Sequence, residues 1–170
     1  MSTRRGFLAV CAAALAVSLP AAVHAADMRA PSGQIRIERV QVRLSTAGPV
    51  VLLMAQGRAI PVFVDAVVAE SIRSALDGRR PMRPLTHDLM HDVLTGFGGT
   101  VAQAVITFKG RIFYGALSVR MGDREKVFDS RSSDAIALAT HFKAPILVSQ
   151  ELLDSAGVAL EPDAPLERRL

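Results

Sequence analysis

Four acids stand where chemistry could be done. Asp129 and Asp134 bracket Ser130-Arg131-Ser132-Ser133, and a fainter copy stands 64 residues earlier, where Asp65 and Glu70 bracket Ala66-Val67-Val68-Ala69. Each run reads as a short apolar strand ending at an Asp, a turn, and a helix that opens on an acid (Glu70, Asp134). An Ile follows two residues on in both, Ile72 and Ile136. Two copies of one unit would place two pairs of carboxylates at comparable positions. Clustered carboxylates are what Mg²⁺ or Mn²⁺ takes as oxygen ligands before activating water at a phosphodiester. Asp129, Asp134 and Glu70 are therefore the candidate metal ligands, and no organic cofactor is indicated. The plainer explanation is that first-turn acids complement the helix dipole, and that Asp65 and Asp129 form turns.

A second group lies between the copies. His87 and His91 are four apart and share a helical face, with Asp88 beside them. A histidine there can bind metal or act as acid or base near neutral pH. Zinc sites of the His-Glu-x-x-His kind need Glu where Asp88 stands. Asp88 is equally explained as a first-turn dipole partner. Arg79, Arg80 and Arg83 form a basic loop just before these residues, suited to phosphate contact or to solvent. Arg131, Ser132 and Ser133 could hold an anion at a helix start. Alternatively one of these serines caps the helix and Arg131 pairs a neighbouring carboxylate.

The elements that must position these groups follow from periodicity. Ile35–Leu44 reads as a strand whose apolar residues change phase, as at a bulge. Val50–Ala55 is apolar throughout, as in a strand buried on both faces, and Ile60–Val64 is the third strand. A helix follows over 68–76, then one capped by Thr86 with an apolar face at Leu89, Met90, Val93, Leu94 and Phe97. The second half repeats the order: strands over 101–108, 112–119 and 126–129, a helix over 133–142, and a last helix over 150–155 capped by Ser149. The pattern is an α+β fold of duplicated β-β-β-α-α units, mostly antiparallel, with helices on one face and the halves sharing one sheet system.

The chain has 170 residues, of which 50% are hydrophobic and 21% charged, a composition that excludes global disorder. Residues 1–25 read as a signal peptide: Arg4-Arg5 precede an apolar run, and Val23-His24-Ala25 offers a cleavage site. Thr3-Arg4-Arg5-Gly6-Phe7-Leu8 resembles a twin-arginine export motif, so the chain is expected in the periplasm or outside the cell. The apolar run is too short for a permanent membrane anchor. Leu8-Ala9-Val10-Cys11 imitates a lipobox, but Val10 is too bulky and almost no apolar segment precedes it. Cys11 is the single cysteine, which rules out disulfides and cysteine-based sites in the mature chain. Without Arg4 and Arg5, 18 basic residues face 16 acidic ones, a net charge of +2, so the basic pI is partly an effect of the signal peptide. Residues 26–34 read as a flexible leader, 35–158 as the domain, and 159–170 as a tail. No phosphate-binding glycine loop, nucleophile elbow or dinucleotide fingerprint occurs. With no Trp and one Tyr, a broad base-stacking surface is not expected.

Three stretches together resemble the bifunctional nuclease domain family of bacteria and plants: Gly48-Pro49-Val50-Val51-Leu52-Leu53, Arg83-Pro84-Leu85-Thr86-His87-Asp88-Leu89 and Asp129-Ser130-Arg131-Ser132-Ser133-Asp134-Ala135-Ile136-Ala137-Leu138-Ala139. The resemblance spans roughly 35–158. It implies a duplicated α+β fold, cleavage of DNA or RNA with possible metal assistance, and a homo-oligomer. It places His87, Asp88, Asp129, Arg131, Ser133 and Asp134 among the site residues. Arg83, the first residue of that second stretch, is the candidate phosphate contact of the loop. The chain departs from the family at Ser132, where proline is usual, and in carrying an export signal. The competing expectation is a non-catalytic binding or scaffold module of the periplasm, with the acids serving as helix caps.

Overall fold

The computed structural model describes residues 33–159. The signal-peptide reading, most of the leader and nearly all of the tail lie outside them. Among the described residues no helix is long and apolar enough to cross a membrane.

Strands β1 (Gln34–Arg36), β2 (Arg39–Ser45), β3 (Gly48–Ala55) and β4 (Arg58–Phe63) precede helices α1 (Ala66–Leu76) and α2 (Thr86–Gly96). Then come β5 (Gly99–Lys109), β6 (Ile112–Met121), β7 (Arg124–Arg131), α3 (Ser132–His141), β8 (Ile146–Ser149), α4 (Gln150–Ala156) and β9 (Val158–Ala159). The fold is α+β, as the periodicity implies. Each half contributes an antiparallel three-stranded meander followed by a helix.

The meanders do not merge into one sheet. β2-β3-β4-β9 form one and β1-β8-β5-β6-β7 the other, with a single parallel pairing, β5 to β8. What the halves share is the core. Val51, Leu53 and Val62 of the first sheet, Ala104, Ile106 and Leu117 of the second, Ile72 of α1 and Ala135, Ile136 and Ala139 of α3 form one buried cluster. Its non-directional apolar burial is the term that holds the two sheets together.

The phase change near residue 38 is not a bulge but a departure from one sheet to the other. The Ile37 N–H donates to the Ile146 carbonyl of the second sheet, and the Glu38 N–H to the Met54 carbonyl of the first, both at 2.8 Å. The sheets also exchange chain ends. N-terminal β1 pairs with β8 of the second sheet, and C-terminal β9 with β4 of the first. β3 is buried on both faces, as its apolar run requires. α4 is capped by Ser149, whose hydroxyl accepts the Leu152 N–H at 3.1 Å.

Candidate functional site

α1 and α3 pack side by side, and α2 lies against α3. α3 seats on β5 and β6 because Gly115 of β6 leaves room for it. A Cβ built at Gly115 would come within 2.6 Å of the Ala135 Cβ and 3.0 Å of the Arg131 carbonyl. That close approach sets the helix start, which is where the site lies.

The N-cap of α3 is Arg131, not Ser132 or Ser133, and its side chain caps no backbone group. Its guanidinium instead grips Asp134 in a fork, Nε to Oδ2 at 2.7 Å and Nη2 to Oδ1 at 2.8 Å. Asp134 Oδ1 is also 3.1 Å from Nε2 of His87 on α2. One carboxylate thus joins Arg131 of the second half to His87 of the first. Burial acts to raise the Asp134 carboxyl, but hydrogen bonds from Arg131 and His87, with their charge, outweigh it and hold it below the usual carboxylate range. The Asp134 hydrogen bond, then its charge, raises the Arg131 guanidinium further. Asp65 stands 4.0 Å from Arg131. His87 is nearly buried, whereas Arg131 is two-thirds exposed.

Asp88 turns away from this hub. Its Oδ2 accepts the Leu85 N–H at 2.9 Å, one arm of a capping box, so Leu85 rather than Thr86 is the N-cap of α2. Its Oδ1 lies 4.0 Å from Nδ1 of His141, the last residue of α3. Nε2 of His141 lies 3.0 Å from the Ser71 hydroxyl on α1. Burial lowers the His141 pKa against the opposing pull of Asp88. Serine, histidine and aspartate in sequence resemble a hydrolytic triad, yet Ser71 is completely buried and cannot meet a substrate. The three residues tie α1, α3 and α2 together beside His87. Sequence reasoning missed His141. Its signal was its place on the face of α3 shared by Asp134 and Leu138 at positions i, i+4 and i+7.

The remaining expected residues scatter. Glu70 is not at a helix start: α1 begins at Ala66, and no acid lies in its first turn. Glu70 faces Ser74, Arg73 and Arg79 instead. Asp129 is exposed on β7, opposite Ala116 of β6. Ser133 is the second residue of α3, and Arg83 is exposed in the loop before α2; neither side chain makes a hydrogen bond among the described residues. Glu70, Asp129 and Asp134 therefore do not converge. Among the described residues no three His, Cys, Asp or Glu side chains form a group that could hold a metal ion. Asp134 has both oxygens engaged by the Arg131 guanidinium and one of them also by His87, so this hub does not fit a divalent ion.

The sequence model of the bifunctional nuclease domain matches residues 50–161. The chain belongs to the bifunctional nuclease domain family. It is also 30% identical, over 138 residues, to two proteins of Mycobacterium tuberculosis, "Uncharacterized protein MT1877" of strain CDC 1551 / Oshkosh and "Uncharacterized protein Rv1829" of strain H37Rv. Each match covers 79% of this chain and 82% of the relative.

Proposed function

We propose that the chain is an exported nuclease that hydrolyses phosphodiester bonds of DNA or RNA. One observation supports this beyond family membership: His87 and Arg131, from different halves, meet on Asp134. In this reading Asp134 fixes both partners. His87 supplies the proton-transfer group. Arg131, exposed and with guanidinium donors to spare, holds the phosphate. Residues 1–25 direct export. No step is routed through a metal ion, because the acids expected to bind one stand apart.

The test is cleavage of single- and double-stranded DNA and RNA with Mg²⁺, Mn²⁺ or EDTA, beside Asp134→Asn and His87→Ala. Cleavage lost in both variants, with the fold intact, supports the reading. Unchanged cleavage in both removes this hub from the mechanism, and cleavage in EDTA dispenses with the metal.

A second reading, a binding or scaffold module, is favoured by α2. Its apolar residues do not face the core as their spacing implies: Leu89, Met90, Val93 and Phe97 are exposed, Phe97 by 76%. Such a face suits a partner or a second copy of the chain. This reading predicts no cleavage, and association of copies by sedimentation that Leu89→Glu with Val93→Glu abolishes.

A further inference from the structure

One turn along α2 from His87 lies a second histidine in a different setting. His91 lines an open cleft of about 440 Å³ with Arg79, Arg80, His141 and Lys143. The parallel with the hub is close in residue type: His91 Nδ1 is 3.3 Å from Asp92 Oδ1, which Arg80 also reaches at 3.4 Å. The contacts are longer, and all three side chains are more open to solvent than His87.

The charges of the cleft are unevenly committed. Asp88 gives one oxygen to the Leu85 N–H and turns the other to His141, and Asp92 serves Arg80 and His91. Arg79 is held by Asp77 through two donors. Arg80 spends one of its five N–H donors on Asp92 and is 78% exposed. Lys143 makes no ion pair among the described residues. His91 Nε2 has no partner among them either, while its ring is steadied on Phe142, with centroids 4.5 Å apart.

Two features prepare the cleft beforehand. Pro81 and Pro84 stiffen the loop that carries the arginines. Lys143 sits just past the end of α3 with φ of 53°, a left-handed conformation in which glycine is the usual residue. The dipole at the end of α3 favours a cation there, although the left-handed backbone suits glycine better.

We propose that this cleft is a phosphate-binding site, with Arg80 and Lys143 as its cationic donors and His91 as its third ligand. His91 Nε2 is the ring atom left open to the anion, since Nδ1 is turned to Asp92. The inference extends the nuclease reading by giving a substrate phosphate a seat away from the hub, and it rests on that reading for the phosphate's origin. The phosphate is either a terminal monoester or an internal diester of the nucleic-acid chain.

The experiment follows the His91 imidazole resonance, assigned with His91→Gln, in the full chain. Inorganic phosphate, a 5′-phosphorylated hexanucleotide and its unphosphorylated counterpart are titrated in turn. A saturable shift is expected, with affinity falling about tenfold or more in Arg80→Gln/Lys143→Gln, whose His87 resonance before titration matches that of the parent chain. Equal binding of the two oligonucleotides assigns the site to the internal diester. Binding of inorganic phosphate and the phosphorylated one alone assigns it to the terminal group. No shift with any of the three, or undiminished affinity in the double variant, overturns the site. A saturable shift in a protein that cleaves no substrate sinks the nuclease reading and leaves the site standing.

Discussion

α1 and α3 follow the third strand of their halves, yet they begin in opposite ways. α1 begins after Asp65, whose carboxylate accepts the Val68 N–H at 2.8 Å and so caps its own helix. α3 begins after Arg131, which caps nothing and reaches outward to Asp134. The cap positions are 66 residues apart, two more than the echo between the acids. Structurally, then, Asp65 matches Arg131 rather than Asp129, and Val68 matches Asp134. One start is closed on itself. The other spends its polar groups on joining the halves. Both halves run a meander into a helix, and the helix start without a side-chain cap is the one linked to His87.

The strongest way to break this comparison is through activity. Asp134→Asn is expected to lower cleavage by about tenfold or more, and Asp65→Asn, which keeps a capping side chain, to leave it within about twofold. Equal losses in the two would show that the starts do not differ in function. Next comes the seat of α3. Gly115→Ala is expected to cost about 1–3 kcal/mol in a denaturant titration, because the Ala135 Cβ and the Arg131 carbonyl must give way. A change of a few tenths would mean the helix start slides freely. Asp65→Ala should cost about 1 kcal/mol as a lost cap, whereas Arg131→Ala, at an exposed pair, should cost between about 0 and 1. The reverse order would make Arg131 the structural member.

The finest tests use pH. Asp134 titrates below its ordinary range when folded, so its contribution is present above the unfolded carboxylate pKa and is lost as pH falls through the folded one. Asp134→Asn should flatten that acid limb of the stability curve. The His141 pKa is lowered by burial, so below its unfolded value the unfolded chain binds the extra proton. Stability should fall as pH drops through that window, and His141→Gln should remove this slope. A slope that survives belongs to another group.

The two meanders, their hairpins and the helices that follow were legible because period-two runs and glycine turns are local signals, whereas β8 and β9 lie outside the strands read from periodicity. Val50–Ala55 reads as a doubly buried strand from its own residues. The division into two sheets was not legible, since β1–β8 and β4–β9 pairing joins residues far apart in sequence. At the site, His87, Asp134 and Arg131 could be named individually, and the hub joins all three. Glu70 was misplaced because the helix start was read at Val68, two residues late, and helix ends are poorly marked when the cap is an Asp that also reads as a turn. The exposed face of α2 shows the limit of amphipathic patterning, which predicts that a face seeks cover without saying what covers it.

The exchange of chain ends bears on how the molecule comes into being. While the chain is being synthesised, the first meander can form early but lacks β9, and β1 has no strand to join until β8 emerges. Neither sheet is complete until its last residues leave the ribosome, so the nascent chain carries an unfinished strand edge for most of its synthesis. After α4, Arg58 closes the assembly, donating to the Gly157 carbonyl at 2.6 Å, in a corner where no side chain fits on Gly157. A chain cut before Gly157 would lack that latch, and both halves would feel the loss.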